Sequence, residues 1–174
     1  MIQKELTGDL KLKWDRIQQA MRKINADGCL LTEDVYLYYT TGRIYSGYFY
    51  LPAEGAPWFF VKRPNGLAGD HVEYIRKPEQ MAELFAFYGL EMPEKLLLEA
   101  DELTYNDYIR LQKIFNPKET GNATAMMREL RRIKTPYEIE MFRISAERHA
   151  KTYAEIPECI RPGKTDLEFQ YEIE

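Results

Sequence analysis

The stretch from Ile44 to Arg63 constrains the fold most. Tyr48, Phe49, Tyr50 and Leu51 lead into a turn through Pro52, Glu54, Gly55 and Pro57, and Trp58 to Val61 lead out of it. Aromatic and β-branched runs flanking Pro and Gly read as a β-hairpin. A strand with one wet face alternates apolar and polar residues; these two are apolar at consecutive positions, so both faces of the hairpin should be covered. With 45% apolar residues in a chain of 174, there is enough material to bury a core of that kind.

The segments on either side supply candidates for the cover. Leu10, Trp14, Ile17, Met21 and Ile24 alternate spacings of four and three, which predicts a helix with one buried stripe ended by Asp27-Gly28. Cys29 to Thr32 reads as a short buried strand, and Glu33 to Gly42 as a polar-to-aromatic connection closed by a turn at Thr41-Gly42. After the hairpin, Arg63 to Asp70 carries Pro64, Gly66 and Gly69 and is expected to be a loop, followed by a short strand at His71 to Ile75. Pro78 opens a helix with Met81, Leu84, Phe85 and Tyr88 that Gly89 caps. Lys95 to Ala100 repeats the strand pattern, Thr104 caps a helix running to Phe115, and Asn122 to Met127 is expected to add an edge strand. Strands interleaved with helices define an α/β domain with a mixed sheet flanked by helices.

A second region begins near Arg128 to Thr135. Thr135, Pro136 and Glu138 form a capping-box start, after which Ile139, Phe142, Ala146, His149, Tyr153, Ile156 and Ile160 give one long helix a mostly apolar stripe. Pro162-Gly163 stops it, and Thr165 with Glu168 announces another helix with room for little more than two turns. The expected division is an α/β domain at 1–130 and, at 131–174, a linker with the first helices of an incomplete domain.

The run Leu130-Arg131-Arg132-Ile133-Lys134-Thr135-Pro136-Tyr137-Glu138-Ile139, followed by Ile160-Arg161-Pro162-Gly163-Lys164-Thr165-Asp166-Leu167-Glu168, resembles the domain junction of the creatinase and prolidase superfamily of pita-bread metallopeptidases. Upstream, Tyr39-Thr40-Thr41-Gly42 is similar to that family's Y-L-T-G, with Thr40 in place of the leucine, and the turn from Leu51-Pro52 to Pro57 is similar to its strand-turn-strand. The resemblance implies a creatinase/prolidase N-terminal-type domain followed by the truncated start of a pita-bread domain. It implies a parent that is an Xaa-Pro dipeptidase or aminopeptidase using two divalent metal ions (manganese, cobalt or zinc), held by two aspartates, a histidine and two glutamates of the catalytic domain. None of those ligand positions has a counterpart in this chain, so no catalytic or metal-binding residue is assigned and the chain alone is expected to be inactive. The resemblance further implies that this half caps the active site, contributes to a homodimer and helps select substrate length, its partners being its own catalytic domain and a short peptide. The alternative is a peptide- or protein-binding module of a catalytically inactive relative.

The residues themselves agree on what is absent. A net charge of −4 and a pI near 5.4 speak against nucleic-acid or anionic-membrane partners, which call for a clustered positive face. The basic cluster of Arg128, Arg131, Arg132 and Lys134 reads as a solvated or salt-bridged helix entry beside Glu129, Glu138 and Glu140 rather than as a phosphate site. Cys29 and Cys159 form no disulfide framework, and no apolar run approaches the roughly 20 residues of a membrane span; a cytoplasmic location with reduced thiols is expected. His149, on the apolar stripe, is expected to be packed. The tyrosines at 36, 38, 39, 45, 48 and 50 read as packed in an aromatic sheet with hydroxyls at a rim, the alternative being a peptide-contacting or dimer-contacting surface, and Trp58 is expected in the core. Arg63 and His71, at the two ends of the Pro-Gly loop, remain as substrate-contacting candidates, since loops present side chains that strands bury. Arg63 offers a planar fork of donors for a peptide carboxylate, with His71 as a second donor.

Overall fold

A computed structural model describes residues 2–173. By internal contacts the chain divides into two compact units, Met1–Ile133 and Lys134–Glu174. In the first, a six-stranded sheet is ordered β4-β3-β2-β1-β5-β6. Its strands are β1 (Gly28–Leu31), β2 (Ser46–Pro52), β3 (Trp58–Arg63), β4 (Val72–Tyr74), β5 (Lys95–Leu98) and β6 (Glu119–Asn122). The hairpin β2-β3 is antiparallel and so is β1 with β2, whereas β3-β4, β1-β5 and β5-β6 are parallel. The sheet is therefore mixed, with the hairpin joined to parallel strands on both sides.

Both faces are covered, as consecutive apolar residues require. Cys29, Leu31, Phe49, Leu51, Val61 and Leu97 enter one core, with Ile17 and Met21 of α1 (Ile2–Lys23), Leu37 of α2 (Asp34–Thr41) and Met127 of α5 (Thr124–Arg132). Their neighbours Leu30, Tyr48, Tyr50, Phe60, Leu96 and Leu98 enter the other, with Met81 and Phe85 of α3 (Gln80–Tyr88) and Leu111 and Phe115 of α4 (Tyr105–Phe115). The split follows the two-residue period of the pleat. Rings dominate the second core: Phe85 meets Tyr50 edge-on at 4.9 Å and Phe115 at 5.4 Å.

Two segments differ from the sequence reading. Glu33 to Gly42 is not a connection: residues 34–41 form α2, ended by Gly42 in the left-handed conformation (φ 69°). Tyrosines and β-branched residues are middling helix formers, and Glu33 at the N-cap gives no side-chain hydrogen bond; the acceptor for this helix start comes from elsewhere in the chain. The edge strand expected at Asn122 to Met127 lies upstream, at β6, and α5 starts at Thr124. Asn122 marks the change, its side-chain oxygen accepting the Thr124 N–H at 2.9 Å.

Helix α1 buries more than an apolar stripe. Asp9 and Lys13 are buried and pair at 2.7 Å, with the Lys13 ammonium 4.6 Å from the Tyr39 ring centre. Ile24, expected on the stripe, is exposed because α1 ends at Lys23 and Asn25 takes a positive φ. Gly8 sits in α1 with nothing within 4 Å of where a Cβ would be. Gly8→Ala is accordingly expected to raise stability by about 0.5–1 kcal/mol, because glycine loses more backbone freedom than alanine on entering a helix. A urea midpoint unchanged or lowered would contradict that.

In the second unit, the Thr135 hydroxyl accepts the Glu138 N–H at 3.2 Å and the Glu138 carboxylate accepts the Thr135 N–H at 2.9 Å. This completes the capping box that opens α6 (Pro136–Cys159). Thr165 and Glu168 repeat it ahead of α7 (Asp166–Ile173). No residue of α6 is buried: Phe142 is 60% and Tyr153 71% exposed, and His149 is exposed with them rather than packed. The stripe is present in the sequence, but nothing in its own unit except the short α7 is available to cover it.

Candidate functional site

Arg63 closes β3 and faces a cleft of about 600 Å³ at one end of the sheet. The cleft lies where β1 passes into α2 and β2 begins, and Thr32, Asp34, Tyr45, Gly47 and Lys62 also line it. Lys62 is committed: its ammonium donates to the Tyr48 hydroxyl at 3.2 Å and lies over that ring. Arg63 is exposed and has no ion-pair partner among the described residues, so its guanidinium is the donor group available to an acceptor entering the cleft.

Buried polar groups hold the corner that shapes the cleft. Glu99, just beyond β5 and 0% exposed, accepts the Thr32 N–H at 2.7 Å and the Glu33 N–H at 3.2 Å. The Glu33 N–H is a donor that the start of a helix leaves without an intrahelical partner, so Glu99 caps α2 from 66 residues away. Burial pushes its carboxyl pKa up to about 7, against the two N–H bonds that favour the ionised form. The Thr32 hydroxyl donates to the Gly47 carbonyl at 2.8 Å, tying β1 to the bulge where the β2-β3 register shifts. Sequence reasoning missed Glu99; the one signal was a carboxylate ending an otherwise apolar strand, Leu96-Leu97-Leu98-Glu99.

His71 lies at the other end of β3. Its ring stacks on Trp58, the first residue of that strand, at 4.4 Å and 11°, and its carbonyl accepts the Phe59 N–H. Five residue steps along the strand separate Trp58 from Arg63, about 16 Å at roughly 3.3 Å per step. The two candidates therefore do not converge on one ligand within a single copy of the domain. Of the basic cluster, Arg132 reaches Glu129 at 2.6 Å, Arg128 reaches Glu102 at 2.8 Å, an acid outside the three expected, and Arg131 lies over the Tyr36 ring. Both cysteines are free thiols, and burial pushes the Cys29 thiol pKa up. No helix among the described residues is long and apolar enough to cross a membrane.

The family model described as "Creatinase/Prolidase N-terminal domain" matches residues 13–133, which take in the whole sheet, the second half of α1 and α2 to α5. The chain belongs to the creatinase/prolidase N-terminal domain family. Solved structures agree on the fold. The Xaa-Pro dipeptidase from Bacillus anthracis aligns with 95% of this chain and 48% of its own at 21% identity and a TM-score of 0.70. The prolidase from Pyrococcus horikoshii aligns with 93% and 47% at 23% identity and 0.70. The creatinase/prolidase N-terminal domain of an X-Pro dipeptidase from Streptococcus pyogenes aligns with 68% of this chain and 98% of its own at 20% identity and 0.57. The chain thus spans about half the length of the two longer proteins. A search of the curated proteins found no significant match.

Among the described residues of this creatinase/prolidase N-terminal domain, no three His, Cys, Asp or Glu side chains are grouped to hold a metal ion. The donor set of a two-metal centre does not fit the described residues.

Proposed function

We propose that this chain is the non-catalytic N-terminal domain of an Xaa-Pro dipeptidase or aminopeptidase, a hydrolase whose two divalent metal ions belong to a catalytic domain joined to it. The observation that carries this reading is the family match across residues 13–133. On this reading 131–174 is the linker and the opening of the catalytic domain, and the exposed stripe of α6 is the surface that domain covers. The N-terminal domain caps the active site of a homodimer and limits substrate length. The Arg63 cleft is its contribution to substrate binding, the guanidinium pairing with the carboxyl end of a short peptide.

Two measurements test the reading. The 174-residue chain should release no proline from Xaa-Pro dipeptides with manganese, cobalt or zinc, while the same chain continued through a catalytic domain should. Turnover by the chain alone would overturn the non-catalytic assignment. In the longer protein, Arg63→Ala should raise KM for dipeptides about tenfold with a smaller change in kcat, because an interaction made equally in ground and transition state is removed. His71→Ala should leave KM near its original value, since His71 lies at the far end of β3. Unchanged KM for Arg63→Ala in a folded protein would remove the cleft from substrate binding.

A further inference from the structure

A second cleft, of about 970 Å³, opens at the end of the sheet away from Arg63, between the β2-β3 turn and the loop that follows α3. We propose that it binds a small organic cation, an ammonium or guanidinium group carried on a short apolar stem. Its size falls at the upper end of the range of about 300–1,000 Å³ usual for small-molecule sites. Asp27, Glu54, Glu91 and Glu94 line it and no lysine or arginine does. Asp27 uses one carboxylate oxygen on the Lys95 N–H, and Glu94 is paired with Lys118. Glu54 and Glu91 are exposed and have no partner among the described residues.

Acidic residues at a surface are common, and the observation that points to a ligand is Tyr50. It is 3% exposed, with its ring held between Phe85 and Phe115, yet it also lines this cleft. Its hydroxyl lies over Gly28, where a Cβ would come within 2.6 Å of the oxygen. Asp27 is close enough to act on it: burial pushes the Tyr50 hydroxyl pKa up, and the Asp27 charge adds to that. Tyrosine hydroxyls can both donate and accept and commonly find a partner within the protein. Those of Tyr45 and Tyr48 have theirs, in the Tyr48 carbonyl and the Lys62 ammonium. Tyr50 has none among the described residues, which leaves an oxygen at the wall of the cleft free to accept from an occupant.

His71 adds a second acceptor. Its Nδ1 lies 3.2 Å from the Pro57 carbonyl, which can only accept, so Nδ1 is the donating nitrogen and Nε2 is the one left for an occupant. A left-handed backbone (φ 58°) and the stack on Trp58 fix the ring in place. The acceptors do not converge as a metal site would require, and Leu90, Met92 and Pro93 give the cleft an apolar wall. Spread acceptors beside an apolar wall suit a multi-donor head on a hydrocarbon stem better than a bare inorganic ion.

The test is titration of the ¹⁵N-labelled 174-residue chain with agmatine, read from its amide resonances, beside the uncharged n-pentylurea. Saturable movement of the Asp27, Gly28, Gly89 and Glu91 amides with agmatine alone is expected. The surface variant Glu54→Gln with Glu91→Gln should weaken binding about tenfold and Tyr50→Phe about threefold, the first removing charge-assisted acceptors and the second a neutral one. Absence of saturable shifts, equal affinity for n-pentylurea, or equal shifts in the original chain and the double-glutamine variant would each overturn the proposal. The double variant alters only exposed side chains, so that comparison stands even if Tyr50→Phe perturbs the core.

Discussion

Gly47→Ala is expected to lower the stability of the domain by about 3 kcal/mol or more, the upper end of what overpacking ordinarily costs. The reason is the approach of β3, since a Cβ at Gly47 would stand 2.1 Å from the Phe60 carbonyl oxygen and 3.1 Å from the carbonyl carbon. Backbone of the neighbouring strand cannot swing aside as the end of a flexible side chain can. Nor can β2 retreat, because the Gly47 carbonyl is held by the Thr32 hydroxyl and the Tyr45 ring lies 3.0 Å from the same Cβ position. Gly47 is not in the left-handed region; what the site demands is the absence of a side chain. Natural domains have roughly 5–15 kcal/mol in all, so the variant should unfold at a much lower urea concentration with an unchanged m value. A midpoint within experimental error of the original would mean that the bulge can open, and the tight β2-β3 approach would lose its structural role. The same variant should distort the Arg63 cleft, since Gly47 lines it.

How much of this could be read from the chain depended on how far apart the interacting residues are. The hairpin, the caps at Gly89 and Thr104 and the box at Thr135 were legible because each is completed within a few residues: the Thr104 hydroxyl, for example, accepts the Asp107 N–H. Helix α2 was not legible because its start is capped by Glu99. The bulge at Gly47 was hidden for the same reason, its partners lying in β1 and β3. The buried Asp9-Lys13 pair escaped because periodicity arguments count apolar residues, and a paired charge can occupy a core-facing position without contributing to the count. At the candidate site, Arg63 could be nominated from its place at a strand end. That His71 stacks on Trp58, a strand's length away, required the β3-β4 register.

Glu99 should make the domain less stable as the pH rises through neutrality. Its carboxyl pKa is raised from an ordinary 4.5 to about 7, first by burial and then by the like charges of Glu33 and Glu102. A raised carboxyl means that the folded state holds the proton more tightly than the unfolded chain. The corresponding stability is therefore fully present below about pH 4.5, declines between pH 4.5 and 7, and is gone above. The amount is about 3 kcal/mol at roughly 1.4 kcal/mol per pH unit. Glu99→Gln keeps a side-chain carbonyl for the Thr32 N–H but cannot titrate. The stability of the original protein minus that of Glu99→Gln, from urea unfolding at pH 4.5 and 7.5, should thus fall by about 3 kcal/mol on going to the higher pH. A difference that stays level or grows with pH would show that the two N–H donors outweigh desolvation and hold the carboxylate ionised. Glu99→Ala should be destabilising at every pH, by about 1–3 kcal/mol for each donor left without an acceptor. Its effect should concentrate at the β1-α2 corner, where faster exchange of the Thr32, Glu33 and Tyr36 amides would register the loosening. Because that corner supplies Thr32 and Asp34 to the cleft beside Arg63, the capping carboxylate and the proposed substrate contact are joined through one turn of backbone.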